Sequence, residues 1–180
     1  MKALVVYESL YGNTAAIGEV IATSLRTHGL EVDAGPISKV SPTSAVGVDL
    51  LVVGGPTHAH GMSKSSTRKT AVDDKKNSFP EPTVEPGLRE WLTGLPPGAG
   101  RLAAAFDTRI DKPLFLTGSA AKGIGKRLDG SGYHLVVEPE CFLVTMKNRL
   151  REGQTEHAAS WGATLAERAA AGIAARELPI

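Results

Sequence analysis

Residues 7–14 read YESLYGNT, which is more polar than a bare turn needs. Ser9 and Thr14 offer hydroxyls, Asn13 an amide, and residues 10–14 their backbone N–H groups. The stretch stands between an apolar run, ALVVY, and a segment of helical periodicity, AAIGEVIATSLRTHG. Its amides therefore fall at a helix N-terminus, where unsatisfied donors and the helix dipole favour an anion. Gly12 lets the backbone bend close to that anion. No lysine stands in the loop, so it lacks the GK[ST] of the Walker phosphate loop, and it is not the dinucleotide GxGxxG either. The chemistry it suits is a phosphate held by hydroxyls and backbone without a cation.

Two further loops bring reactive side chains. PTHAHGMS (56–63) contains His58, His60 and Met62, and DTRID (107–111) contains Arg109 between two aspartates. The histidines suit proton donation near neutral pH or a plain loop role. Arg109 suits either a ligand-facing cation or an ion pair with Asp107 or Asp111. Between the loops, Lys64, Arg68, Lys69, Lys75 and Lys76 form a basic stretch. It reads as a solvated loop or, more sharply, as a lid that attracts an anionic partner, with Thr67 and Arg68 close to the site. Cys141 lies in an apolar run and reads as a small buried hydrophobe. Asp73-Asp74 lacks a histidine partner or metal-ligand spacing, and there is no G-x-S-x-G elbow. His28, His134 and His157 stand in no motif, and Trp91 and Trp161 fall on helical patterns, where packing is the expected role.

Positioning these loops requires a frame. The chain has 180 residues, 42% hydrophobic and 22% charged, which suits one globular domain over 1–180. A net charge of +1 argues against a nucleic-acid partner. One cysteine, a short N-terminal apolar run and no membrane-length segment give the expectation of a cytoplasmic chain without a membrane span. Short apolar runs alternate with helical patterns, which predicts parallel strands joined by crossover helices. Strands are expected at 2–7, 30–37 (an edge, because of Pro36), 48–55, 101–108 and 133–144, the last kinked at Pro139. Helices are expected from Thr14 to about His28, at 86–95, within 113–132 and over 153–177, with a short turn at 41–47 capped by Ser41. A polar insert around 63–86 interrupts the alternation. In an open doubly wound sheet, ligands bind beyond the carboxyl ends of the strands. That rule selects the loops 8–14, 55–63 and 107–112.

YESLYGNT before a helix, then VDLLVVGGPTH, then AFDTR, resembles the flavodoxin family of FMN-binding proteins, in element order over the whole chain. The resemblance implies a five-stranded parallel sheet of order 2-1-3-4-5 with helices on both faces. It implies FMN phosphate on Ser9, Leu10, Tyr11, Gly12, Asn13 and Thr14. The flavin ring would lie between Pro56, Thr57, His58, Ala59, His60 and Gly61 on one side and Phe106, Asp107, Thr108 and Arg109 on the other. Familiar flavodoxins sandwich the ring between aromatic side chains and are strongly acidic; this chain has neither feature. The function implied is electron transfer with a redox partner protein. The alternatives are an FMN-dependent oxidoreductase acting on NAD(P)H and a quinone-like molecule, and a binding module of the same fold that has lost FMN.

Overall fold

The structure is a computed structural model and describes residues 1–58, 60–75 and 77–177. The elements run β1 (Lys2–Tyr7), α1 (Asn13–Thr27), β2 (Glu31–Pro36), a 3-10 turn (Pro42–Gly47), β3 (Leu50–His58), β4 (Gly61–Met62) and α2 (Ser65–Asp73). They continue with α3 (Leu88–Thr93), β5 (Leu102–Ile110), α4 (Leu114–Thr117), α5 (Ala120–Gly130), β6 (His134–Leu135), β7 (Glu140–Val144) and α6 (Gln154–Glu177).

The three most apolar runs become the central strands β1, β3 and β5, paired in parallel with Val5 opposite Val52 and Val52 opposite Ala104. Such strands are covered on both faces. Val5, Val52, Ala104 and Phe106 pack with Ile17, Ile21 and Leu25 of α1 and Trp161 and Leu165 of α6. Leu4, Val6, Leu51, Val53 and Ala105 pack on the opposite face with Trp91 of α3 and Ile124 and Leu128 of α5. The glycine pair of β3 serves this packing. At Gly54 the ring of Phe106 occupies the place of a Cβ, and at Gly55 Leu88 does so. Phe106 also meets Phe142 and Trp161 edge-on, at centroid distances of 6.1 and 6.2 Å.

The strand order is β2-β1-β3-β5-β6, with β7 also on β5. This is the doubly wound α/β sheet that the sequence predicts, its fifth strand split in two. From Leu135 to Glu140 that strand takes five steps, against three on β5 from Ala103 to Phe106. Pro139 sits in the gap, where a residue without an N–H does least harm to the ladder.

Two elements differ from the sequence-based expectation. β3 continues to His58 and folds back as β4, pairing Thr57 with Met62 and His58 with Gly61. The insert contains α2, where a polar loop is expected. Its periodicity is hidden because only Arg68 and Ala71 face inward, and one of them is a cation. The Lys64 amide donates to the Thr67 hydroxyl at 2.9 Å, which starts the helix. Among the described residues, no helix is long and apolar enough to cross a membrane.

Candidate functional site

The carboxyl ends of β1, β3, β5 and β7 surround a cleft of about 200 Å³. Leu10, Tyr11, Asn13 and Thr14 line it from the first loop, Pro56, Thr57 and His58 from the second, and Thr108, Arg109 and Ile110 from the third, with Val144 and Asn148 beyond. The three loops selected by the strand-end rule therefore do converge. Ser9, Gly12, His60, Gly61, Phe106 and Asp107 are not among the lining residues, and Ala59 lies outside the described residues.

The first loop leaves a run of amides open at the head of α1. Gly12 takes φ +89° and hands the chain to α1. The amides of Leu10, Tyr11, Gly12, Asn13 and Thr14 donate no hydrogen bond among the described residues, as expected of the donors ahead of a first helical turn. Ser9, 2% exposed, accepts the N–H of Ala15 on its hydroxyl at 3.2 Å, so its hydroxyl serves the helix start. The Thr14 hydroxyl meets that of Thr108 at 2.7 Å and ties the first loop to β5.

The insert fixes the orientation of this loop. The Thr83 amide donates to the Ser9 carbonyl at 2.8 Å, and the Asn77 side-chain amide donates to the Leu10 carbonyl at 2.8 Å. A trans peptide points its N–H opposite its C=O. Holding those two carbonyls therefore turns the amides of Leu10 and Tyr11 away from the insert. Phe79 packs on Gly12, its Cδ2 2.9 Å from where a Cβ would stand. Asn77, Phe79 and Thr83 carry no local motif, and the unusual length of the connection is the only sequence signal for them.

Asp107 and Phe106 act behind the cleft. Asp107 is buried, and its Oδ2 accepts from the hydroxyls of Thr57 (2.9 Å) and Ser119 (2.7 Å) and the amide of Ala121 (2.9 Å). Thr57 in turn accepts the Ala120 amide at 2.8 Å. A carboxylate at the N-terminus of α5 is favoured by the helix dipole, and here it clamps the second loop to the third. Phe106 belongs to the aromatic core under the sheet.

Arg109 makes neither of the ion pairs considered for it. Its guanidinium donates to the Lys112 carbonyl at 2.7 Å and to the Ile110 carbonyl and Thr117 hydroxyl at 3.3 Å. Asp111 pairs with Arg151 at 3.1 Å instead. The Arg109 Nε is buried without a partner among the described residues, beside the cleft. Arg68 is also placed differently from a lid cation. It is 1% exposed and holds Ser63, Val84, Glu85 and Glu90 together under the insert. Cys141 is half-buried; burial and then the Asp107 carboxylate push its thiol up, which removes it as a nucleophile at neutral pH.

His58 is the histidine on the cleft wall. Burial holds its imidazole below the ordinary value of 6.5, so it is neutral at pH 7. The unfolded chain protonates this residue at about pH 6.5, whereas the folded chain resists until a lower pH. Stability is thus full above that ordinary value and declines as the pH falls from it towards the folded value. The wild-type melting temperature is expected to drop more than that of His58→Gln between pH 7.5 and 5.5. Parallel curves for the two proteins would remove the assignment.

No protein-family model matches the sequence, and a search of curated proteins finds no relative. Solved structures do resemble it. A flavodoxin from the domain Archaea matches with TM-score 0.66 at 19% identity, covering 94% of this chain and 99% of the other. Oxidised Flavodoxin 1 from Bacillus cereus matches with TM-score 0.67 at 17% identity, covering 93% and 98%. The Flv1 flavodiiron core from Synechocystis sp. PCC6803 matches with TM-score 0.65 at 14% identity over 95% of this chain, which spans only 36% of that protein. The chain has the flavodoxin-like fold.

Proposed function

We propose that the chain binds FMN in the strand-end cleft and serves as an electron-transfer flavoprotein. One observation carries this reading: five consecutive amides without partners among the described residues stand at the head of α1, on a loop that lines the cleft. They suit the phosphate of a flavin mononucleotide without help from a cation. The chain's own residues fit the group. The amides of residues 10–14 would hold the phosphate beside the Thr14 hydroxyl, while Ser9 shapes the loop by holding Ala15. Pro56, Thr57, His58, Thr108 and Arg109 would wall the ring, with His60 and Gly61 just beyond. When bound, FMN supplies reversible transfer of one or two electrons. The unpartnered Arg109 Nε offers a donor there, and neutral His58 offers an uncharged imidazole.

The carrier reading is supported by α4, which follows β5, and by the turn that follows β7. Phe115 is 81% exposed and Met146 70% exposed, with Leu114 and Leu116 also open. Exposed apolar side chains of this size, on segments that follow the strands whose ends form the cleft, suit a protein partner. One observation favours a second reading, hydride transfer from NAD(P)H to a quinone-like molecule. Apart from the His58 imidazole, the walls at 56–58 and 108–110 present no aromatic ring to stack on the flavin, which leaves its faces open to a small substrate.

Titrating the purified protein with FMN tests the cofactor. Thr14→Val removes the hydroxyl and should weaken FMN about tenfold, the effect of one lost hydrogen bond to a charged group. Undiminished affinity would remove the phosphate assignment. Mixing the FMN-loaded protein with NADPH and a quinone separates the two readings. Steady turnover without an added reductase would reject the carrier.

A further inference from the structure

The cleft does not end at the head of α1. Tyr11 and Asn148 also line a second cavity of about 560 Å³, bounded by Asp74, Asn77 and Ser78 of the insert and by Met146, Lys147 and Arg149 of the turn after β7. The residues proposed to wall the flavin ring, 56–58 and 108–109, line only the first space. The second cavity therefore lies past the phosphate position and away from the ring. With about 200 Å³ the first space falls below the roughly 300–1,000 Å³ of ordinary small-molecule sites, and the two spaces together fall inside that range.

Its lining has a definite chemistry. Lys147 and Arg149 form no ion pair among the described residues. Their turn is set firmly: Asn148 has φ +54°, the Thr145 amide donates to the Arg149 carbonyl at 2.7 Å, and the Asn13 side chain donates to the Asn148 carbonyl at 3.0 Å. The turn that carries both side chains is thus tied to the start of α1, and the two cations line the second cavity and not the first. Asp74, which accepts from the Tyr11 hydroxyl at 3.3 Å, brings a carboxylate to the cavity wall. Met146 brings a soft apolar side chain. Cations for phosphate, a carboxylate for ribose hydroxyls and a polarisable surface for a base are the requirements of a nucleotide.

We infer that this second cavity binds an adenosine 5′-phosphate group, either as the outer half of flavin adenine dinucleotide or as part of a separate adenine nucleotide. The inference rests on the flavin reading for its first source only. The test uses FMN, FAD and ADP as probes, measured by flavin fluorescence and calorimetry, on wild type and on Lys147→Gln/Arg149→Gln. Both residues are on the surface, and a thermal melt checks that the variant is folded.

FAD should bind wild type more tightly than FMN and weaken about tenfold or more in the variant, with FMN within about twofold, because only the outer phosphate loses its partners. That result assigns the dinucleotide. If instead FAD behaves as FMN does, but ADP binds FMN-loaded protein and is lost in the variant, the group comes from a separate nucleotide. FMN binding with FAD and ADP both indifferent to the variant would overturn the inference and leave the proposed function standing. ADP binding to flavin-free protein, lost in the variant, with no flavin bound, would overturn the flavin reading and keep this site. A chain that binds none of the three refutes both.

Discussion

Arg68→Ala should lower the unfolding free energy by about 3 kcal/mol, a sum of lost buried hydrogen bonds and the hollow left by a large side chain. Residues 74–87 should become open to proteolysis. Arg68 is 1% exposed, and its Nε donates to the Val84 carbonyl at 2.8 Å, its Nη1 to the Ser63 hydroxyl at 3.3 Å and its Nη2 to Glu85 at 2.9 Å. It also fills the space over Gly87, where no Cβ would fit. The residue thus joins the start of the insert to its end, and the insert in turn holds the carbonyls of Ser9 and Leu10.

The loss should depend on pH through Glu8. That carboxyl is buried at the end of β1, with one oxygen on the Leu88 amide at 2.7 Å and the other without a partner among the described residues. Burial pushes it above its ordinary value of 4.5, while Ser63, the Leu88 amide and the positive charge of Arg68 pull it back. Without Arg68 the upward push is opposed less. A raised folded value gives stability that is full at low pH and lost as the pH rises through that value. The deficit of Arg68→Ala should therefore be larger at pH 7 than at pH 5. Arg68→Lys, which keeps the charge and loses the planar fork, should fall between the two proteins. Chemical denaturation at both pH values checks this, and an Arg68→Ala curve superimposed on wild type would refute it.

The fold was legible because its signals are local. Apolar runs of six to nine residues alternate with helical stretches, and the glycine pair in VVGGP marks where Phe106 and Leu88 press on β3 from opposite sides. The three stretches of the candidate site were legible too, since each lies at the carboxyl end of a strand. The depth at which each residue sits was not. Phe106 and Asp107 precede the cleft along β5, and tertiary packing turns one into aromatic core and the other into a clamp on α5. Nor does any local pattern pair residues about seventy positions apart. Asn77 with Leu10, Thr83 with Ser9 and Phe79 with Gly12 meet across an insert whose two ends are joined from inside by Arg68, a residue that sequence alone places in a solvated loop or a lid. The polar insert is thereby part of the support of the first loop.

Gly12→Val draws these strands together and should cost FMN affinity roughly thirtyfold, from about 2 kcal/mol of strain in the unbound loop and the displaced amides. Two independent obstacles act. At φ +89° a β-branched residue crowds its own backbone. Its Cβ would also stand 2.9 Å from Phe79 Cδ2, closer than the ring permits without moving. Relief of either obstacle moves the loop whose amides are proposed to hold the phosphate. Phe79→Ala alone should leave FMN affinity within a few-fold, because the ring does not line the cleft. Gly12→Val/Phe79→Ala should recover part of the loss, the part due to the clash, and keep the part due to φ. FMN titration of the three variants measures both contributions. Full recovery in the double variant would assign the whole effect to Phe79 and none to the backbone, whereas undiminished affinity in Gly12→Val would mean that the head of α1 does not hold the phosphate.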